Sequence, residues 1–89
     1  MENPDMKKII DCNGLECPRQ LHLKLKEELS FPEWYGCNLD ALYDCLTAIQ
    51  EETTLTLVNF GNLPFPACGF SAVMKDAQEK NPNLRVEMK

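Results

Sequence analysis

In NLDALYDCLTAIQEETTLTLVNF, residues 38–60, a helical pattern is followed directly by a strand pattern. The apolar side chains of this stretch first recur at helical spacing, which predicts a helix from Leu39 to about Ile49. Asn38 is the expected N-cap, because its side chain can accept a hydrogen bond from the first turn. The pattern then becomes alternating and β-branched, which predicts a strand that stops at Gly61-Asn62. A helix followed directly by a strand is typical of an α/β fold.

The flanking segments continue the alternation of strands and helices. Upstream, a short strand begins at Ile9 and a helix is predicted over residues 18–29. Leucines in that helix also alternate like a half-buried strand, but their i, i+4 recurrence favours the helix. Downstream, a helix is predicted from Phe70 to about Asn81, with a last strand over residues 84–88. The order β-α-α-β-α-β predicts an α/β fold, a three-stranded parallel sheet with three helices.

The length and composition of the chain are those of one small globular domain. The chain has 89 residues, 44% of them hydrophobic, and we expect a single domain over residues 1–89. No apolar run is long enough to span a membrane and no signal-peptide core is visible, so we expect a cytoplasmic protein. The sequence has no P-loop, paired metal-ligand motif or dinucleotide fingerprint, so we expect no cofactor. The cysteines form no CxxC pair, which argues against a metal site and predicts mostly reduced, buried thiols. They are Cys12, Cys17, Cys37, Cys45 and Cys68.

Charge is distributed unevenly along the chain. The formal net charge is −5, and every Lys and Arg lies in residues 1–26 or 75–89. Residues 27–74 therefore carry only acidic charge. The net negative charge disfavours nucleic acid and anionic membranes as partners, and its uneven distribution indicates a partner with a basic surface. A solvated acidic face that only keeps the protein soluble is the alternative.

The predicted second helix has one apolar and one acidic face. On a helical wheel, a polar stripe lies opposite the leucines and is expected to face water; it consists of Asp40, Tyr43, Asp44 and Thr47. Acidic residues near a helix N-terminus are favoured by the helix dipole, so part of this pattern has a structural explanation. The i, i+4 spacing of two like charges, however, destabilises an isolated helix. A basic cavity on a partner would instead gain from both carboxylates.

The run FPEWYGCNLDALYDCLT, residues 31–47, resembles the barstar family, intracellular inhibitors of the ribonuclease barnase. The likeness is strong over these 17 residues, extends by spacing to residues 9–29, and is weaker around Met74-Lys75-Asp76-Ala77. It implies a non-enzymatic inhibitor in a toxin–antitoxin relationship, monomeric when free, whose partner is a basic ribonuclease of the barnase type. In barnase and barstar such charges steer association, so the resemblance also implies fast binding.

The resemblance implies a role for each matching position. Asp44 would mimic a substrate phosphate and pair with catalytic Arg and His groups, with Asp40 beside it. Trp34 would supply an aromatic contact, and Asp76 would reach a second basic patch. The full set of expected partner contacts is Trp34, Gly36, Asn38, Leu39, Asp40, Tyr43, Asp44, Thr47 and Asp76.

Several positions depart from the family pattern. Tyr43 replaces a larger indole, Ala48-Ile49 replaces a Gly-aromatic pair, and Asp76 is shorter than the usual Glu. The link from Gly61 to Cys68 is also short. These departures leave open a second reading, a cytosolic binding module of the same fold with another partner.

A third reading comes from DCNGLECP, residues 11–18, which resembles the Cys-Pro motif of TusA-type sulfur carriers. Cys17 would start a helix, where a thiol pKa can be lowered. The second proline of that motif is missing, because Gln20 stands in its place. Catalysis by the chain itself finds no support, since the single histidine, His22, lies among leucines without a nucleophile beside it and is expected to be a surface or packing residue.

Overall fold

The computed structural model describes residues 6–89, so the first five residues of the expected domain lie outside it. The described residues form three strands and three helices in the predicted order β-α-α-β-α-β, with a short 3₁₀-helix at Phe60–Asn62. The elements are β1 (Met6–Asp11), α1 (Pro18–Leu29), α2 (Leu39–Thr47), β2 (Thr53–Val58), α3 (Cys68–Lys80) and β3 (Leu84–Met88).

The strands form one parallel sheet in the order β1-β2-β3, which confirms the prediction. Met6 pairs with Thr53, and Thr53 pairs in turn with Leu84. Both crossovers step in the same direction along the sheet. Because such crossovers are right-handed, all three helices pack on the same face.

The core lies between that face and the helices. Leu55 and Leu57 of the central strand are fully buried, with Ile10 and Leu84 beside them. The helices contribute buried side chains from each of their inner faces: Leu21, Leu25, Leu42, Leu46, Phe70, Met74 and Ala77. Burial of this apolar surface is the main favourable term in folding.

The opposite face of the sheet carries no helix of residues 6–89. Thr54, Thr56 and Val58 of β2 point to that side and are only half-buried. Ile9 of β1 points the same way and is 65% exposed. Parallel sheets are usually covered on both faces, so this open face is an unusual feature of the fold.

Helix α2 ends at Thr47, two residues before the predicted end near Ile49. Nδ2 of Asn81 donates to the carbonyl oxygens of Leu46 and Ile49, both at 2.9 Å. These contacts satisfy carbonyls that a helix end leaves without partners. A residue at the end of α3 thus fixes the end of α2.

Other boundaries also differ by a few residues from the prediction. Strand β1 begins at Met6, three residues before Ile9, because the amide of Met6 donates to the carbonyl of Glu52 at 2.8 Å. Strand β2 ends at Val58, since Asn59 adopts a left-handed conformation with φ 60°.

The cysteines are all free, but the expectation that most are buried is wrong. Cys12 and Cys45 are buried, Cys17 and Cys37 are half-buried, and Cys68 is exposed at the start of α3. Burial raises the pKa of the Cys12 and Cys45 thiols and keeps them protonated.

Candidate protein-binding site

The exposed face of α2 carries two carboxylates. Asp40 and Asp44 are exposed and lie one turn apart, while Leu42 and Leu46 face the core. Within residues 6–89 neither carboxylate forms an ion pair. The side chains therefore point outward, as the helical wheel predicts, and their charge is not neutralised by a described lysine or arginine.

The start of α2 is fixed by its own N-cap. Oδ1 of Asn38 accepts a hydrogen bond from the amide of Ala41 at 2.7 Å, as the sequence predicts. Gly36 lies close by, and a Cβ at this position would stand 2.9 Å from Nδ2 of Asn38. A larger residue at Gly36 would therefore force the side chain of Asn38, which caps α2, to shift.

The loop before α2 is anchored by a buried tyrosine. Tyr35 is buried, and its hydroxyl shares a hydrogen bond of 2.5 Å with Nδ1 of His22 on α1. The His22 ring packs against Phe70 of α3 at a centroid distance of 4.7 Å, and Phe31 packs against Tyr35 at 5.0 Å. This cluster joins the loop to two helices, so His22 is a core residue with a polar partner.

The neighbouring Trp34 has the opposite environment. Its side chain is 72% exposed, although indoles are usually well buried. Trp34 therefore presents its ring from a loop that the neighbouring Tyr35 anchors to the core. Exposed aromatic rings held in place are typical of the residues that dominate protein interfaces.

A shallow groove of about 260 Å³ connects Trp34 with the acidic face. Trp34 and Asp44 both line it, and Phe31, Ala48 and Ile49 provide apolar walls. The small Ala48 and the half-buried Ile49 shape this groove. The departures from the family pattern at these two positions thus lie beside the acidic site.

The remaining predicted contact residues have mixed exposure. Tyr43 is half-buried, and Leu39 is half-buried with its Cδ1 atom close to Gly69 of α3. Thr47 is half-buried, and its hydroxyl donates to the carbonyl of Tyr43 at 2.9 Å. Asp76 is exposed on α3. The proton of the Thr47 hydroxyl is therefore committed to its own helix.

The structure also bears on the alternative interpretations of the sequence. Cys17 is the N-cap of α1 and is half-buried, with Pro18 at the first helical position. The described residues contain no cluster of three or more His, Cys, Asp or Glu side chains that could hold a metal ion. Among residues 6–89 no helix is both long and apolar enough to cross a membrane.

Two features of the site could not be read from the chain. The pairing of His22 with Tyr35 joins residues 13 positions apart, and no local pattern indicates it. The groove combines residues 29–34 with residues 44–49. The run of aromatic and proline residues before α2 was the available sequence signal for the groove, but it does not predict the depth or shape of the groove.

Comparisons with known proteins agree with this architecture. Residues 6–89 match the family model described as "Barstar (barnase inhibitor)". A protein of Bacillus subtilis (strain 168) named "Putative ribonuclease inhibitor YrdF" is 41% identical over 85 residues, which cover 93% of each chain. The likeness extends well beyond residues 31–47 and takes in the whole sheet. The chain therefore belongs to the barstar (barnase inhibitor) family.

Proposed function

We propose that the protein inhibits a basic, extracellular ribonuclease of the barnase type by covering the active site of the enzyme with α2. The observation that carries the proposal is the outward display of Asp40 and Asp44 without a counter-cation in residues 6–89. Family membership and the name of the Bacillus subtilis relative support an inhibitor of a ribonuclease rather than an enzyme.

Asp44 has the central role in this mechanism. A ribonuclease binds substrate phosphates with arginine, lysine and histidine, and carboxylates form charge-assisted hydrogen bonds with the same groups. Asp44 replaces a phosphate there, and Asp40 contacts a neighbouring cation. Because α2 is capped at both ends, the backbone that carries the two carboxylates is ordered before binding, which lowers the entropic cost of association.

The surrounding residues complete the interface around the acidic pair. Trp34 packs against the rim of the enzyme site, with the groove beside it open to a partner side chain. Asp76 on α3 contacts a second basic patch. Gly36, Asn38, Leu39, Tyr43 and Thr47 provide close contact around α2.

The distribution of charge favours a basic partner. Residues 27–74 contain seven acidic and no basic residues. Charge complementarity of this kind raises the association rate and makes it sensitive to salt. The same proposal assigns the protein to the cytoplasm and treats it as one domain.

The direct test is an inhibition titration against a barnase-type ribonuclease. We expect inhibition that weakens as salt increases, and a loss of at least about 2 kcal/mol of binding free energy in Asp44→Ala, because a buried interface carboxylate is removed. Asp44→Asn should lose affinity as well, because it keeps the shape and removes the charge.

Glu27→Ala is the matched control. Glu27 is an exposed carboxylate on α1, outside the proposed site, and its removal changes the net charge equally. Equal losses in Asp44→Ala and Glu27→Ala would show a non-specific charge effect. Absence of inhibition by the unmodified protein would refute the barnase-type target and favour a binding module of the same fold with another partner.

A further inference from the structure

The two edges of the sheet differ in how they are protected. β3 forms one edge, and Oε1 of Gln78 on α3 accepts a hydrogen bond from the amide of Val86 at 2.6 Å. β1 forms the other edge. An edge strand presents a row of backbone donors and acceptors that can pair with another strand.

Alternate residues of β1 direct their backbone groups to β2 and to the outer edge of the sheet. The amides of Met6 and Cys12 donate to β2 residues or to the residue before β2, at 2.8 and 2.9 Å. Alternate residues of a strand direct their backbone groups to opposite sides. Lys7, Ile9 and Asp11 therefore direct theirs to the outer edge, and no hydrogen bond within residues 6–89 occupies the amides of Lys7 and Ile9.

The side chains of the same three residues lie on the open face of the sheet and are exposed. Ile9, at 65% exposure, is a large aliphatic side chain in contact with water. It stands between a cation at Lys7 and an anion at Asp11. Oδ1 of Asp11 accepts from Asn59 and from the amide of Asn13, both at 2.9 Å, which holds the carboxylate in place.

This sequence is complementary to itself when it is read in the reverse direction. In an antiparallel pair centred on Ile9, Ile9 lies opposite Ile9 of a second copy, and Lys7 lies opposite Asp11 of that copy. Opposite charges and apolar pairs directly across an antiparallel ladder are favourable. Lys7, Ile9 and Asp11 direct their backbone groups to the outer edge, and in this arrangement their side chains pair with those of the second copy.

We propose that two copies of this chain associate through antiparallel pairing of their β1 strands about a twofold axis at Ile9, giving a continuous six-stranded sheet. A twofold axis makes the contact isologous and closed, so association stops at the dimer. Six residues on each side form a small interface, and such interfaces are weak. The dimer therefore forms at high protein concentration, in contrast to the free monomer expected from the sequence.

The first experiment is sedimentation velocity of the full chain over a range of protein concentration. We expect a monomer–dimer equilibrium that shifts to monomer in Ile9→Lys, because two cations then face each other. Lys7→Glu should weaken the dimer about tenfold, because it places like charges across the ladder at two symmetric positions. Both residues are exposed, so the melting temperature of each monomer should stay unchanged, which circular dichroism verifies.

Arg85→Glu is the matched control. Arg85 is exposed on the same open face but lies on β3, and the substitution makes the same charge change as Lys7→Glu. Edge pairing predicts that this variant keeps the dimer. Packing of two open faces against each other would instead make Arg85→Glu and Lys7→Glu equally harmful, which would overturn the proposal.

Hydrogen exchange gives an independent readout. The amides of Lys7, Ile9 and Asp11 should gain protection as concentration rises, whereas those of Lys8 and Ile10 are already bonded to β2. A chain that stays monomeric up to about 1 mM would overturn the proposal, since even weak specific association is detectable there. A dimer without protection at these three amides would also overturn it.

Discussion

His22 is a titratable side chain that lies inside the core. Its ring is 4% exposed, contacts Phe70 and shares a hydrogen bond with the hydroxyl of Tyr35. Burial lowers the pKa of His22 below its ordinary value of 6.5, because the charged ring loses hydration. The neutral imidazole thus holds the loop that presents Trp34.

The lowered pKa of His22 predicts that the folded protein is less stable in mild acid. The unfolded chain takes up the proton near 6.5 and the folded chain only at lower pH, so stability is full above 6.5 and falls below it. Urea unfolding from about pH 7.5 to about pH 5.5 should show a decreasing free energy of unfolding. The sequence has one histidine, so His22→Gln should remove most of this slope. An unchanged slope in that variant would assign it to other groups.

At the scale of elements, α2 receives its two caps from different parts of the chain. Asn38 caps the N-terminus from the adjacent position, whereas Asn81 reaches the C-terminus from the end of α3. Asn81 is 5% exposed, and its Oδ1 also accepts from the amide of Asn83 at 3.0 Å. The side-chain amide of Asn81 therefore connects the end of α2 to the turn into β3.

Loss of the Asn81 side chain should destabilise the fold. Asn81→Ala removes the side-chain donor from the carbonyls of Leu46 and Ile49, and Leu46 keeps only long backbone contacts such as that from the amide of Ile49 at 3.4 Å. We expect a decrease of about 1–3 kcal/mol in the free energy of unfolding. Asn62→Ala is the control, because Asn62 is exposed and its backbone amide, not its side chain, bonds to Asn59. A decrease in Asn81→Ala no larger than in the control would contradict this role.

At the scale of the whole molecule, the sheet separates two different surfaces. One face packs against all three helices and forms the core, with Leu55 and Leu57 fully buried. The other face carries the half-buried Thr54 and Thr56. The acidic site lies on a helix that packs on the covered face of the sheet. It is therefore separate from the edge strand β1 and from the open face.

This asymmetry predicts unequal costs for neighbouring substitutions in β2. Leu55→Ala should lower the free energy of unfolding by about 2–5 kcal/mol, because it leaves a cavity in the core. Thr56→Ala, one residue further along on the open face, should cost less than about 1 kcal/mol. Urea unfolding of both variants measures the difference, and similar costs would mean that the second face is covered in solution.

The local patterns determined most of the secondary structure. Periodicity gave the helix over residues 18–29 with its bounds, and the outward position of Asp40 and Asp44 followed from their place opposite the leucines. The cap at Asn38 was also predictable, because its donor lies three residues away. These features depend on residues that are close in the sequence, so they can be predicted from the sequence directly.

Features that join residues far apart in the sequence follow from the packing of separate elements. The sequence placed the phenol of Tyr35 and the indole of Trp34 just before α2, but it did not predict that Tyr35 would be buried against His22 while Trp34 stayed exposed. The end of α2 likewise depends on Asn81, which lies 32 to 35 residues away from the carbonyls that it caps. Hydrogen bonds and burial between separate elements depend on how the elements pack, and no local pattern of residues specifies that packing.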